Sequence, residues 1–274
     1  DLVRSRGLGD VYKRQEVELR LTARTEPRTS RNVVACLQSE SNEIIVVNAH
    51  HDSMLTPGAV DDASGVAVVL EIARVLSAEN LQRTVLFTTF SGEELGLFGS
   101  ADFVGKHKDN NVVASITFDC IGAGPDNGLR IGVEGSTTEW LDAYIQEIAE
   151  NLGFFAKSER LGVVGGTSDH ESFLEAGFSA TWVYWVDPER EGDIFGPVHT
   201  LGDNLDAIDE VRLRQAAELG VKVVRQLAGE DIAAQRHGFE FPIRAAFFTV
   251  IGMSAVVLAI GACSFIHYLS LIHI

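Results

Sequence analysis

The chain has 274 residues, 46% hydrophobic and 22% charged, an ordinary globular composition that suits a single α/β domain with a tail better than two equal domains. Acidic residues outnumber basic ones 39 to 22, a net charge of −17, which repels phosphate backbones and argues against a nucleic-acid partner. The three cysteines, Cys36, Cys120 and Cys263, are odd in number and widely spaced without a CxxC, which excludes a disulfide scaffold and a cysteine-held zinc; Cys36 and Cys120 are expected to be core thiols.

In chain order, residues 1–15 (DLVRSRGLGDVYKRQ) show neither a helical nor a strand period. They resemble translated adapter sequence, as do residues 269–274 (LSLIHI), and both segments are set aside from fold reasoning. Residues 16–24 alternate apolar and polar side chains, the pattern of a half-exposed edge strand, and 32–37 (NVVACL) read as a second strand. Residues 43–49 (EIIVVNA) form a continuous apolar run, as in a strand buried on both faces. A helical period over 64–76 follows, then a buried strand at 83–90, a helix at 95–106 and a strand at 112–118. An amphipathic helix at 137–152, a strand at 178–184 and a long helix at 208–227 complete the pattern. Strands that alternate with helices predict an α/β fold, a three-layer sandwich with a mixed, mostly parallel central sheet and an antiparallel edge at its start. After a linker at 231–244, residues 245–266 carry no charge. A spanning helix needs about 20 apolar residues, and a core helix would show a polar stripe that this run lacks, so a C-terminal transmembrane helix at 245–268 is expected to attach the chain to a membrane.

In open α/β sheets ligands collect beyond the carboxyl ends of the strands. The first buried strand runs into Ala49-His50-His51-Asp52, the second into Ser91-Gly92-Glu93-Glu94, and the third ends at Asp119. A further segment, GAVDDASG, sets Asp61 and Asp62 at a helix start, and a late loop, GPVHT, adds His199. Imidazole and carboxylate donors suit zinc and related divalent ions. Two such ions about 3.5–4 Å apart can share one carboxylate and one water.

AHHDS, GAVDDASG, SGEELGLFGS, TFDCIG and GPVHTLGDN stand in the order found in the co-catalytic zinc aminopeptidases, metallopeptidase family M twenty-eight, which the chain resembles over about residues 16–228. The resemblance implies a zinc peptidase domain over 16–230, two zinc ions and peptide substrates with a free N-terminus. It implies His50, Asp61, Glu94, Asp119 and His199 as metal ligands, with Asp61 bridging, His50 and Asp119 completing the first zinc, and Glu94 and His199 completing the second. It implies Glu93 as general base and Asp52 as the group that orients His50 through its second ring nitrogen. Asp62 remains the rival of Asp61, since either can begin the helix.

Ser168-Asp169-His170 begins another motif of that family, and His170 is read as a pocket or loop-packing residue rather than a ligand. The Trp182-Val183-Tyr184-Trp185 cluster has two readings: Trp182 and Tyr184 line the substrate side-chain pocket, or the cluster packs as a strand end. Some relatives carry a tyrosine just before the last histidine; here that position is Val198. A membrane-tethered hydrolase of this kind is expected to face outside the cytoplasm. The competing functions are another amidase of the superfamily (a carboxypeptidase, a dipeptidase or a one-zinc glutaminyl cyclase) and an ectodomain that only binds.

Overall fold

The computed structural model describes residues 26–132, 139–158, 167–190 and 194–229. By its contacts the chain divides at residue 30. In the unit formed by 1–30 the described part carries an ion pair between Arg28 and Glu26 at 2.7 Å; the unit that starts at Arg31 carries the fold. The expected strand at 16–24, the adapter-like segments, the linker and the expected span at 245–268 lie outside the described residues. Among the described residues no helix is long and apolar enough to cross a membrane.

Among the described residues seven strands form one sheet: β1 Val33–Leu37, β2 Glu43–His50, β3 Thr84–Phe90, β4 Asn111–Phe118, β5 Leu129–Ile131, β6 Lys157–Ser158 and β7 Ala180–Trp185. Their spatial order is β1-β3-β2-β4-β7-β5-β6. β3, β2, β4 and β7 run parallel; β1 lies antiparallel to β3 at one edge, and β5 antiparallel to β7 near the other. The mostly parallel α/β sheet matches the sequence expectation, but the second antiparallel pairing was not foreseen.

Among the described residues five α-helices flank the sheet: α1 Ser64–Leu76, α2 Phe98–His107, α3 Glu139–Asn151, α4 His170–Glu175 and α5 Glu210–Gly229. Successive side chains of a strand point to opposite faces, and β2 shows why both faces of its central run are apolar. Ile45, Val47 and Ala49 join the core under α1, α3 and α5, while Val46 joins a second core with Phe103 of α2 and Phe173 of α4. Phe90 anchors that second core, with its ring 5.4 Å from Phe103. In α1 the buried Val68, Val69, Ile72 and Leu76 recur at helical spacing, and α5 answers with Ala216, Leu219, Val223, Val224 and Leu227. The two helices meet closely at Gly220, where a Cβ would press on Ile72 and come within 3.0 Å of Phe118.

The structure departs from the sequence pattern in three respects, each for a local reason. The helix expected from residue 95 begins at Phe98, because residues 93–97 close into a tight turn. The amides of Gly96 and Leu97 both bond the Glu93 carbonyl at 2.9 Å, and Leu97 takes φ 60°. β5, β6 and α4 have three, two and six residues, too few to establish a period. Cys36, expected in the core, is exposed: β1 is the sheet edge, and its neighbours Val33, Val34 and Ala35 are exposed with it. Cys120 is buried as expected.

Register is what assembles the site. His50 pairs with Phe90, and Asn48 with Thr117, so β2, β3 and β4 end level with one another. The chain that leaves each of these strands therefore enters the same rim.

Candidate metal centre

Five donor side chains converge at that rim. The two oxygens of Asp61 point to different histidines: Oδ1 lies 2.9 Å from His50 Nε2, and Oδ2 lies 3.0 Å from His199 Nε2. Asp119 Oδ1 stands 3.7 Å from His50 Nε2, and Glu94 Oε2 stands 3.0 Å from His199 Nε2. Two ligands of one tetrahedral ion, each about 2.0–2.2 Å from it, stand roughly 3.3–3.6 Å apart. On the His50 side the observed spacings, 2.9 and 3.7 Å, bracket that figure, and on the His199 side both, at 3.0 Å, fall slightly inside it. His50 Nε2, Asp119 Oδ1 and Glu94 Oε1 are buried yet lack a hydrogen-bond partner. Buried polar atoms are normally paired, and three orphaned lone-pair donors around one carboxylate are what a cation would satisfy. The donor set, imidazole and carboxylate without thiolate, fits borderline divalent ions.

The charges agree. Burial, reinforced by neighbouring acids, raises the carboxyls of Asp61 and Glu94 above the usual range. Glu93 is pushed up to about 9, first by burial and then by Asp119. Burial disfavours a charged His50, but Asp119 and its other acid neighbours outweigh it and raise the imidazole. Concentrated acids of this kind hold protons in the absence of a cation and release them to one.

A second set of residues holds the donors in place. Asp62 follows Asp61 across a cis peptide bond, and its carboxylate has another use: it accepts the amide of His50 at 3.1 Å and that of Gly65 at 3.0 Å. A Cβ at residue 65 would collide with that carboxylate and with the Phe118 carbonyl, so the start of α1 depends on glycine there. Of the two acids, Asp61 is the one that faces both histidines. Asp52 divides its contacts. Its backbone carbonyl is the nearest partner of His50 Nδ1, at 3.1 Å, with Oδ1 farther away at 3.7 Å; its carboxylate accepts the amides of Glu93 at 3.2 Å and Glu94 at 3.3 Å. With Nδ1 donating to that carbonyl, Nε2 keeps its lone pair for the centre. Ser168 donates to Asp119 Oδ2 at 2.5 Å, and Ser64 bonds the carbonyl of Val60 and the amide of Ile121.

Sequence reasoning passed over Asp203. It is fully buried, and its carboxylate accepts the amides of Val60 at 2.6 Å and Asp61 at 3.2 Å. It thereby ties the loop that carries His199 to the loop that carries Asp61. Its signal was its place four residues after His199, in Gly202-Asp203-Asn204. Asp203→Asn turns one acceptor into a donor that faces a backbone N–H. Supporting groups of this kind typically cost about 10–100-fold in metal affinity, and that loss, read by competition with a chromogenic chelator, is the expected result. An unchanged affinity would show that the tether is dispensable.

The remaining residues singled out from sequence lie beside the centre. His170 is buried, its ring stacks on Trp182 at 5.6 Å, and burial lowers its pKa to about 4, so the ring is neutral. Trp182 lies between His170 and Phe195, donates Nε1 to the Asp119 carbonyl, and packs on Tyr184. Tyr184 is wholly buried. Of the two readings of this cluster, packing matches its burial, and the stack braces Asp119 from behind. Val198 is buried against Val60 and Cys120, so no hydroxyl faces the centre from that position.

Residues 32–224 match the family model described as Peptidase family M28. Aminopeptidase YwaD of Bacillus subtilis is 33% identical over 232 residues, which cover 81% of this chain and 50% of YwaD. Among solved structures, BSAP, a zinc aminopeptidase from Bacillus subtilis, superposes with a TM-score of 0.65 at 29% identity, over 75% of this chain and 52% of BSAP. The glutaminyl cyclase of Porphyromonas gingivalis superposes with a TM-score of 0.61 at 23% identity, over 70% of this chain and 75% of its own, a likeness of fold. The chain thus spans about half the length of the two Bacillus proteins.

Proposed function

The chain belongs to peptidase family M28, and on that premise we propose that it is a two-zinc aminopeptidase that removes the N-terminal residue of peptides. The observation that carries this reading is the carboxylate of Asp61, shared between His50 on one side and His199 on the other. His50 and Asp119 would hold one zinc, His199 and Glu94 the other, and Asp61 both. When bound, the pair supplies a water acidic enough to attack at neutral pH and polarises the scissile carbonyl.

The chain's own groups do the rest. Glu93 sits within 4.0 Å of His50 Nε2, held by its amide to Asp52, and its carboxylate accepts the proton of the attacking water and returns it to the leaving amine. Asp52 sets both glutamates at once, because adjacent amides bond its two oxygens. His199, whose side chain is 52% exposed, marks the side from which substrate enters, while Asp61 and Glu94 stay enclosed at 6% and 5%. The uncharged run at 245–266 supports attachment of this peptidase to a membrane, and its membership of the family supports a catalytic domain on the extracytoplasmic side. The full chain is then expected in the detergent-rich phase on partitioning, and recovery in the aqueous phase would refute it.

The decisive assay is turnover of leucine nitroanilide before and after chelation, with zinc content measured on the same samples. Turnover should vanish with the metal and return with zinc; turnover indifferent to chelation would overturn the reading. Removal of the metal should also create a pH dependence. Glu93, Asp61 and Glu94 have raised carboxyl pKa values, so the metal-free folded state binds more protons than the unfolded chain. The raised His50 acts in the same sense. Stability of the chelated protein should therefore fall as pH rises from 4.5 to about 9, the interval set by Glu93, and zinc should abolish that fall. Thermal midpoints across that range, with and without zinc, check it.

A further inference from the structure

The five donors of the centre are nitrogen and oxygen, yet a sulfur stands beside them. One donor atom each from Asp61, Asp119 and Cys120 lie within 4.8 Å of one another, and all three residues are buried. Asp61 and Asp119 are two of the three groups assigned above to the first ion. The third, His50, has Nε2 2.9 Å from Asp61 and 3.7 Å from Asp119. That nitrogen is buried without a hydrogen-bond partner, on a side chain only 1% exposed, and Asp119 Oδ1 lacks a partner as well. The second position has no counterpart: Asp61, Glu94 and His199 form its group, and among the described residues no cysteine joins them.

The backbone holds Cys120 in place. Its carbonyl accepts the Trp185 amide at 3.0 Å, and the Ile121 amide that follows bonds Ser64 Oγ at 3.1 Å. Asp119 before it donates its amide to the Val183 carbonyl at 3.2 Å and accepts Trp182 Nε1 at 3.1 Å. Cys120 packs with Val60 and Val198, the residues just before Asp61 and His199. Packing explains a small apolar side chain at this point. It does not explain a soft donor beside two carboxylates and an orphaned imidazole nitrogen. Ligands on opposite sides of one ion, at about 2.3 Å for sulfur and 2.0–2.2 Å for oxygen, stand roughly 4.4 Å apart. A sulfur within 4.8 Å of both oxygens is thus at the outer edge of a zinc ion's shell, and nearer to that of a larger ion.

We propose that Cys120 makes the His50–Asp119 position a thiophilic site, where a soft divalent cation larger than zinc is held by Cys120 Sγ with His50, Asp61 and Asp119 and displaces one zinc of the pair. The proposal rests on the two-ion reading above. On binding, the S–H bond breaks, its proton leaves to solvent, and the sulfur lone pair forms the bond to the cation, with no change of oxidation state. Thiolate selects soft cations, whereas imidazole and carboxylate alone do not. The His199–Glu94 position therefore keeps its zinc.

Cadmium is the probe. The reference protein is the full chain with Cys36→Ser and Cys263→Ser, which leaves Cys120 as its one thiol. Cys36 is exposed, and Cys263 lies outside the described residues. Cadmium titrated into the chelated reference protein should raise an ultraviolet thiolate-to-cadmium charge-transfer band that saturates at one ion per chain, with no increase from the second ion. Adding Cys120→Ala should abolish the band and weaken cadmium binding by more than about tenfold, the lower end of what loss of even a supporting group costs. Cadmium-113 resonance of the reference protein gives a reading that does not depend on how the variant folds: one of two signals should lie at the low-field position of sulfur ligation. Added to the zinc-loaded reference protein, cadmium should release one zinc per chain. Bound cadmium without the band or the low-field signal overturns the thiol site while the two-ion reading stands. Release of both zinc ions, or of neither, overturns the difference between the positions. A chelated protein that takes up neither zinc nor cadmium refutes the two-ion reading, and the proposal falls with it.

Discussion

Glu93→Gln is expected to lower kcat by about 10²–10⁴-fold, the usual contribution of a positioned general base, while both metal ions stay bound. The two halves of that result come from different features of the side chain. Glu93 is not among the clustered donors of the described residues: Asp61, Glu94 and His199 form one group, and His50 and Asp119 form another with Asp62. Its backbone is fixed by Asp52 whatever its head group, because the bond is made by its amide N–H. Glutamine keeps the shape and the bond but has no oxygen that can take a proton at neutral pH. KM should change little, since binding and positioning persist. The thermal midpoint of the chelated protein should rise at high pH, because a buried carboxyl pushed up to about 9 no longer has to ionise. Glu94→Gln is the control. Glu94 Oε2 lies 3.0 Å from His199 Nε2, so that substitution should cost metal as well as rate. Zinc content measured alongside kcat separates the two glutamates; a Glu93→Gln protein that has lost zinc, or that turns over at the wild-type rate, would remove Glu93 from the role of base.

The ease with which the sheet was read, and the difficulty of the rim, have one cause. β2 and β4 are buried on both faces, so most positions demand an apolar side chain and the run is visible in the sequence, while the buried polar exceptions, Asn48, Ser115 and Thr117, bond one another. α1 announces itself just as clearly, because its core stripe keeps helical spacing over thirteen residues. The donors at the strand ends were legible for a related reason: polar residues that interrupt an apolar run at a buried edge need an explanation. What could not be read is set by contacts between distant segments. Asp203 acts on backbone amides 142 and 143 positions away, and such an acceptor has no pattern in sequence. Asp62 looks like a second candidate donor until its oxygens are found on the amides of His50 and Gly65. Cys36 stands in a run with two valines that reads as buried, but a strand's place in the sheet depends on its partners, and among the described residues β1 pairs with β3 alone.

Asp61→Asn should do more damage than any other single change at the centre. Its carboxylate is the one group placed toward both histidines, and both of its oxygens are in use, 2.9 Å from His50 Nε2 and 3.0 Å from His199 Nε2. Asparagine keeps one oxygen and replaces the other with an amide whose hydrogens would point at a cation. It also removes a negative charge from a buried cluster that would have to neutralise two divalent ions. The expected outcome is zinc content below one ion per chain and a fall in kcat/KM of about 10³-fold or more, as several kcal/mol of carbonyl polarisation are lost. Collapse of the fold is not expected. Asp61 is raised above the usual carboxyl range by burial, so in the chelated protein it is costly to ionise, and an uncharged amide relieves that cost. The chelated variant should therefore melt no lower than the chelated parent at pH 8. Asp62→Asn makes the opposite prediction. Its oxygens bond two backbone amides at the start of α1, so its loss should lower the melting midpoint first and metal content only as a consequence. The pair of variants thus separates a bridging ligand from a structural brace one residue away. If Asp61→Asn and Asp62→Asn cost equal metal and equal stability, Asp61 is not the shared ligand, and the two-ion geometry built on it has to be abandoned.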